Sequence, residues 1–362
     1  MAGRLLRRRS LQVAGGLLVG AICLWVSLRQ VQFGAFLAQF ASFSFPLVGL
    51  ATASVVLVAC GKALRWQWLY AGAPPPLPWS THFSILMISQ MLNLVVPIRL
   101  GEVARLGLMR QQGRPVGLTF GTIVVEKTLD LLAVGLVVLA ALPLALIPES
   151  LRMEAGAAGV LLGVVLFAAL LVLGRLEKPI VAALARIPEP RGPRLARLLN
   201  WGRHAAASTL ASMASLRGKQ LARVAGLTAG IWLLSLVTVQ IMLAAFRIDA
   251  GWSAALVVML ALMSSNWAPT PPAMIGVVGA VTMAVLAAFG VEPSRGLALG
   301  TVLNGVLVGP PVLLGGVALG IRFWALGETL SATTLRRAAG LSGRTAANET
   351  TSAMQEGGHG PT

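Results

Sequence analysis

Acidic residues are scarce in this sequence, with twelve Asp and Glu against 29 Lys and Arg in 362 residues. Charged residues of every kind make up only 11%, less than half the share usual for a soluble domain. The two cysteines, Cys23 and Cys60, are too few for a disulfide framework or a cysteine zinc site. Each lies inside an apolar run and reads as a small packing residue. The three histidines, His82, His204 and His359, show no ligand spacing. There is no Gly-rich phosphate loop after a strand, no His pair on a helix and no nucleophile–base set. The chain is therefore read as a non-enzyme with no cofactor and no metal. An enzyme working within the membrane would have to use Glu126, Asp130 or Lys127.

Apolar sequence is abundant, with 56% hydrophobic residues and a mean hydropathy of +0.81. A spanning helix needs about 20 mostly apolar residues. Stretches 11–28, 46–64, 117–146, 156–174, 224–246 and 297–320 qualify, while 81–97 and 253–290 are apolar but interrupted. The basic start, Arg4-Leu-Leu-Arg7-Arg8-Arg9, precedes an apolar run without a convincing cleavage site, which favours an anchored first helix over a signal peptide. These features predict an all-α polytopic membrane protein of six full crossings, or six to eight spans by hydropathy. One transmembrane domain is expected over 1–330, followed by a disordered cytoplasmic tail over 331–362.

The formal charge of +17 would suggest nucleic acid in a soluble protein. In a membrane protein it reports topology, because Lys and Arg concentrate in cytoplasmic loops, and no nucleic-acid partner is expected. If both termini are inside and 81–116 enters and leaves on one face, 24 of the 29 basic residues are cytoplasmic. A full crossing at 81–97 would instead export Arg99 to Arg114 and the ten basic residues of 175–223. The segments 81–116 and 253–290 are thus expected to be broken and re-entrant. Such backbone is tolerated at depth only when buried in protein or lining a wet cavity. The Arg-rich loop 175–223 reads as amphipathic helix on the inner leaflet, and Trp66, Trp68, Tyr70 and Trp79 read as an aromatic belt beside Arg65.

The two broken segments resemble each other. Pro97-Ile-Arg99-Leu-Gly101 aligns with Pro272-Ala-Met-Ile-Gly276, and Gly117-Leu-Thr-Phe-Gly121-Thr with Gly296-Leu-Ala-Leu-Gly300-Thr. Asn93 and Asn266 precede the turns. With opposite entry sides, units 81–146 and 253–320 form an inverted repeat, an organisation used by many secondary transporters with their substrate site at the interrupted segments.

Glu126 falls about 14 Å into its helix at ~1.5 Å per residue, near the middle of a ~30 Å hydrocarbon core. Asp130 shares its face one turn on. Each such charge costs roughly 2.5–3.5 kcal/mol at a helix centre, so partners are required. Arg99, Glu102 and Arg105 on the return arm are the nearest candidates. Arg105 and Arg99 are expected to face Glu126 and Asp130, with Lys127 reaching Glu102 or a lipid phosphate. These groups could be static ion pairs that pin the re-entrant loop, a transport gate, or both. The second repeat has Gly305 and Val306 where the first has Glu126 and Lys127, leaving Asn304 as the nearby polar residue.

Together, Asn93-Leu-Val-Val-Pro97-Ile-Arg99-Leu-Gly101-Glu102-Val-Ala-Arg105 and Val125-Glu126-Lys127-Thr-Leu-Asp130, with the Leu64-Arg65-Trp66 element, resemble the flippase-like transmembrane region of lysylphosphatidylglycerol synthases over about residues 5–325. The family's second motif, Pro-Gly-Gly-x-Gly-x-x-Glu, stands here as Pro272-Ala-Met-Ile-Gly276-Val-Val-Gly279. The sequence carries no aminoacyl-transferase domain, so synthase activity is not implied. The resemblance implies movement of a charged or glycosylated lipid between leaflets of a bacterial inner membrane. A module that docks a lipid-modifying glycosyl- or aminoacyl-transferase is the alternative.

Overall fold

The computed structural model describes residues 33–39, 43–70, 75–96, 100–141, 218–265 and 271–356, with scattered positions between 179 and 210. Side chains are described as far as Trp324. The spans expected at 11–28 and 156–174, most of the 175–223 loop, Cys23, Pro97, Arg99 and Asn266 lie outside these residues. The described residues are helical, with no strand among them.

Short helix α1 covers Phe33–Gln39, and α2 runs over Phe45–Leu69. Pro46 stands in the first turn of α2, where its missing N–H would have had no intrahelical partner. α3 (Trp79–Val95) and α4 (Gly101–Gln111) are the two arms of the first broken segment, and they pack on each other. α5 follows over Val116–Ala141. Further along come α6 (Gly218–Ala245), α7 (Gly251–Ser265), a 3-10 turn (Pro272–Met274), α8 (Val277–Ala287) and α9, which starts at Pro293. α7 and α8 also pack as a pair. Each predicted re-entrant segment is thus two packed helices joined by a turn and followed by a long helix.

Phe45–Leu69, Gly218–Ala245 and Pro293–Trp324 are long and apolar enough to cross a membrane. α5 has 26 residues but interrupts its apolar run with Glu126, Lys127 and Asp130. This is the architecture of an all-α polytopic membrane protein, embedded in the bilayer.

α2 and α6 are joined antiparallel at successive levels. The Ser44 N–H donates to the Ala245 carbonyl at 2.9 Å, and the Ser54 and Thr238 hydroxyls meet at 2.7 Å. A Cβ on Gly61 would lie 3.1 Å from Ile231, and Gln220 donates to the Trp68 carbonyl at 2.9 Å. Small residues and short hydroxyls permit such close approach where lipid tails offer no hydrophobic gain. One apolar cluster includes Met242, Leu243, Val258, Leu286 and Leu299. A second includes Ala63, Trp66, Ile85, Met87, Met109 and Val125.

Two expectations need correction. Lys219 to Arg223 belong to α6 rather than to the loop before it, because the helix starts at Gly218. Trp66 and Tyr70 are buried, at 0% and 5% exposure, so they are core residues and only Trp79, at 37%, is open. Compact packing divides the chain after Gly315. In the second unit the backbone is helical to Glu356.

Candidate functional site

The turn of the first broken segment is fixed by two of the predicted residues. The Gly101 N–H donates to Asn93 Oδ1 at 2.8 Å, closing α4 back onto α3. A Cβ on Gly101 would sit 2.1 Å from the Ser89 carbonyl oxygen, so the close approach admits only glycine. α4 then carries Glu102 in its first turn and Arg110 in its last, the order a helix dipole favours.

This geometry aims Arg105 at α5. On α5, Thr119, Thr122, Glu126 and Asp130 recur at helical spacing and form one polar face. Arg105 Nη2 donates to Glu126 Oε2 at 2.7 Å, with both side chains nearly inaccessible. The Arg105 guanidinium also lies 4.0 Å over the Trp66 ring, a cation–π contact strengthened by the absence of water. Trp66 Nε1 donates to Thr122 at 3.1 Å, and the Tyr70 hydroxyl donates to Thr119 at 2.8 Å. His82, 1% exposed, packs edge-on against Trp66.

Asp130 finds its partner on α2. Arg65 grips it with two nitrogens, Nη1 to Oδ1 at 2.6 Å and Nη2 to Oδ2 at 3.2 Å. Arg65 also donates to Thr228 at 3.2 Å and stands 3.6 Å from Glu126. Its side chain is fully buried. Glu126 is therefore shared by Arg65 and Arg105, and the four groups form a neutral lattice joining α2, α4 and α5. At its edge Lys127 faces Glu102 at 3.8 Å, with the lysine side chain 60% exposed. Lys62, one turn before Arg65, lies within electrostatic range of Asp130, Arg65, Lys127 and Glu126. It makes no ion pair among the described residues.

Of the predicted residues, Asn93, Gly101, Glu102, Arg105, Glu126, Lys127 and Asp130 come together here. The expected pairs Arg105–Glu126 and Lys127–Glu102 are present. Of the expected partners Arg105 faces Glu126 and Arg99 lies outside the described residues, while Asp130 is held by Arg65, whose place beside the aromatic residues suggests an interfacial charge. Its signal was an arginine one turn inside the end of an apolar helix, with an unpaired intramembrane carboxylate elsewhere in the chain.

In the second repeat, Pro272 opens the 3-10 turn packed against α3, and Gly276 caps α8 with φ 80°. Asn304 has no bond to the charged lattice among the described residues, and its Oδ1 is buried without a partner. No cluster of His, Cys, Asp and Glu suited to a metal occurs among the described residues.

The profile of the family described as "Lysylphosphatidylglycerol synthase TM region" matches residues 13–315. That is most of the 362 residues, and the chain belongs to this family. No curated protein and no solved structure matches it.

Proposed function

We propose that the protein moves a lipid with an anionic or otherwise polar head group between the leaflets of a bacterial inner membrane, with both termini cytoplasmic. The observation that carries this reading is the paired lattice of Arg65, Arg105, Glu126 and Asp130 within apolar helices, opening at one edge to the exposed Lys127. Intramembrane charge is costly and persists where it pairs or lines a polar path. The lattice and the Glu102–Lys127 pair are each neutral, so Lys62 supplies surplus positive charge beside them. That surplus suits a lipid phosphate. Asn93 and Gly101 would hold the return arm in place, while Glu102, Lys127 and Lys62 meet the head group. Pro272, Gly276 and Asn304 would form the opposite, uncharged side of the path.

The test is leaflet transfer of a fluorescent anionic phospholipid in reconstituted vesicles. Arg105→Ala and Glu126→Ala should abolish transfer while the protein stays monodisperse. Wild-type transfer in both folded variants would refute the reading. A membrane module that docks a lipid-modifying transferase is the second reading, favoured by the missing charges of the second repeat. It predicts that the same variants keep their effect on a co-purifying transferase and that the wild type transfers no lipid.

A further inference from the structure

A cavity of about 390 Å³ opens between α2 and α6 on the wall of the bundle. Leu57, Gly61, Leu64, Trp79, Gly230 and Leu234 are among its lining residues. Leu64 faces this groove while its neighbour Arg65 binds Asp130 and Thr228, so the groove is separate from the charged lattice.

Its two glycines differ in what they do. A Cβ on Gly61 would press on Ile231 at 3.1 Å, so Gly61 serves helix contact. A Cβ on Gly230 would meet nothing within 4 Å. Glycine in a helix interior is unfavourable relative to alanine, and at position 230 no close packing explains it. What Gly230 does is leave the groove open.

The groove has a polar end. Lys219, Arg223, Leu227, Gly230 and Leu234 follow at intervals of four, four, three and four, which puts them on one stripe of α6. Lys219 and Arg223 are exposed and make no ion pair among the described residues. Trp79, 37% exposed, contributes the kind of amphipathic ring that sits at head-group level. From Arg223 to Leu234 the helix rises about 16 Å at ~1.5 Å per residue, half of a ~30 Å hydrocarbon core. The groove therefore matches one leaflet. A partner helix crossing the membrane would need contact along the full core.

We infer that this groove seats one acyl chain of an anionic phospholipid, with its phosphate held by Lys219 and Arg223 at the start of α6. Basic residues at the polar end and an apolar, one-leaflet slot below them are the two halves of that ligand. The site stands whether or not the protein transfers lipid.

The experiment uses the full chain in nanodiscs of equal phosphatidylserine and phosphatidylcholine, released into mild detergent and weighed by native mass spectrometry. The wild type should retain one phosphatidylserine in preference to phosphatidylcholine. Gly230→Leu, which fills the slot, should lose it. Lys219→Gln with Arg223→Gln should weaken retention about thirtyfold. Equal retention of the two lipids, or retention unchanged in the double variant, would overturn the site. So would a wild-type dimer that Gly230→Leu converts to monomer, because the groove would then seat a second copy. The double variant lies on exposed helix surface, so it decides the matter even if Gly230→Leu does not fold.

Discussion

The two broken segments solve the same packing problem with different chemistry. In the first, α4 is held to α5 by charge, through Arg105 on Glu126 at 2.7 Å and Glu102 beside Lys127 at 3.8 Å. In the second, α8 is held to α9 by the absence of side chains. A Cβ on Gly300 would fall 2.8 Å from the Gly279 Cα, and one on Gly296 would fall 3.1 Å from the Met283 Cα. Gly279 occupies the place of the family's acidic residue, and a Cβ there would already touch Leu297 at 3.0 Å. A Cβ on Gly305, where the first repeat has Glu126, would by contrast meet nothing within 4 Å. Close helix contact has taken the place of the acidic residue at Gly279. One repeat keeps polar groups at depth and the other keeps a dry joint.

Breaking the charged lattice that joins α5 to its neighbours should have the largest effect. Arg65→Ala leaves Asp130 without its bidentate partner, and removing one member of a buried pair costs about 3–5 kcal/mol. A detergent unfolding titration should show that loss, with part of it recovered in Arg65→Ala combined with Asp130→Ala. Breaking the dry joint comes next. Gly300→Ala drives a Cβ into backbone, and overpacking of this kind costs about 1–3 kcal/mol, read by the same titration. Asp130 variants should not change that figure, since the two joints share no residue. The smallest effect is expected at the second turn. Ala273 and Met274 sit at φ 53° and 54°, in a left-handed conformation that costs residues with a Cβ roughly 1–2 kcal/mol. Ala273→Gly, which restores the glycine of the family motif, should stabilise the protein by about 1 kcal/mol, provided relief of strain exceeds the added freedom of the unfolded chain. A lowered unfolding midpoint would show that strain at the turn is smaller than the backbone freedom glycine adds to the unfolded chain.

The hairpins were legible in the sequence because they rest on local signals. Asn93, Pro97 and Gly101 mark the first turn, Pro272 and Gly276 the second, and the distribution of Lys and Arg distinguishes a re-entrant arm from a crossing. The Arg105–Glu126 pair was legible too, since a carboxylate at that depth needs a cation and the return arm is the nearest source in sequence. Arg65 was not. It comes from α2, 65 residues from Asp130, and its position near a helix end looks like an interfacial charge until α2 is packed against α5. The burial of Trp66 is hidden for the same reason, since Arg105, His82 and Thr122 reach its indole from other helices. The antiparallel pairing of α2 with α6 rests on Ser54, Gly61 and Thr238, residues too common in membrane helices to announce a partner.

The most direct test of the account is the rate at which a fluorescent anionic phospholipid becomes accessible in the opposite leaflet of proteoliposomes. Lys127→Gln should be compared with Asn304→Ala, both expected to leave folding intact. Lys127 is mostly exposed and Asn304 carries no ion pair among the described residues. If head-group handling is concentrated in the charged first repeat, Lys127→Gln slows transfer severely while Asn304→Ala leaves most of it. Unimpaired transfer in Lys127→Gln, with loss in Asn304→Ala, would contradict the account.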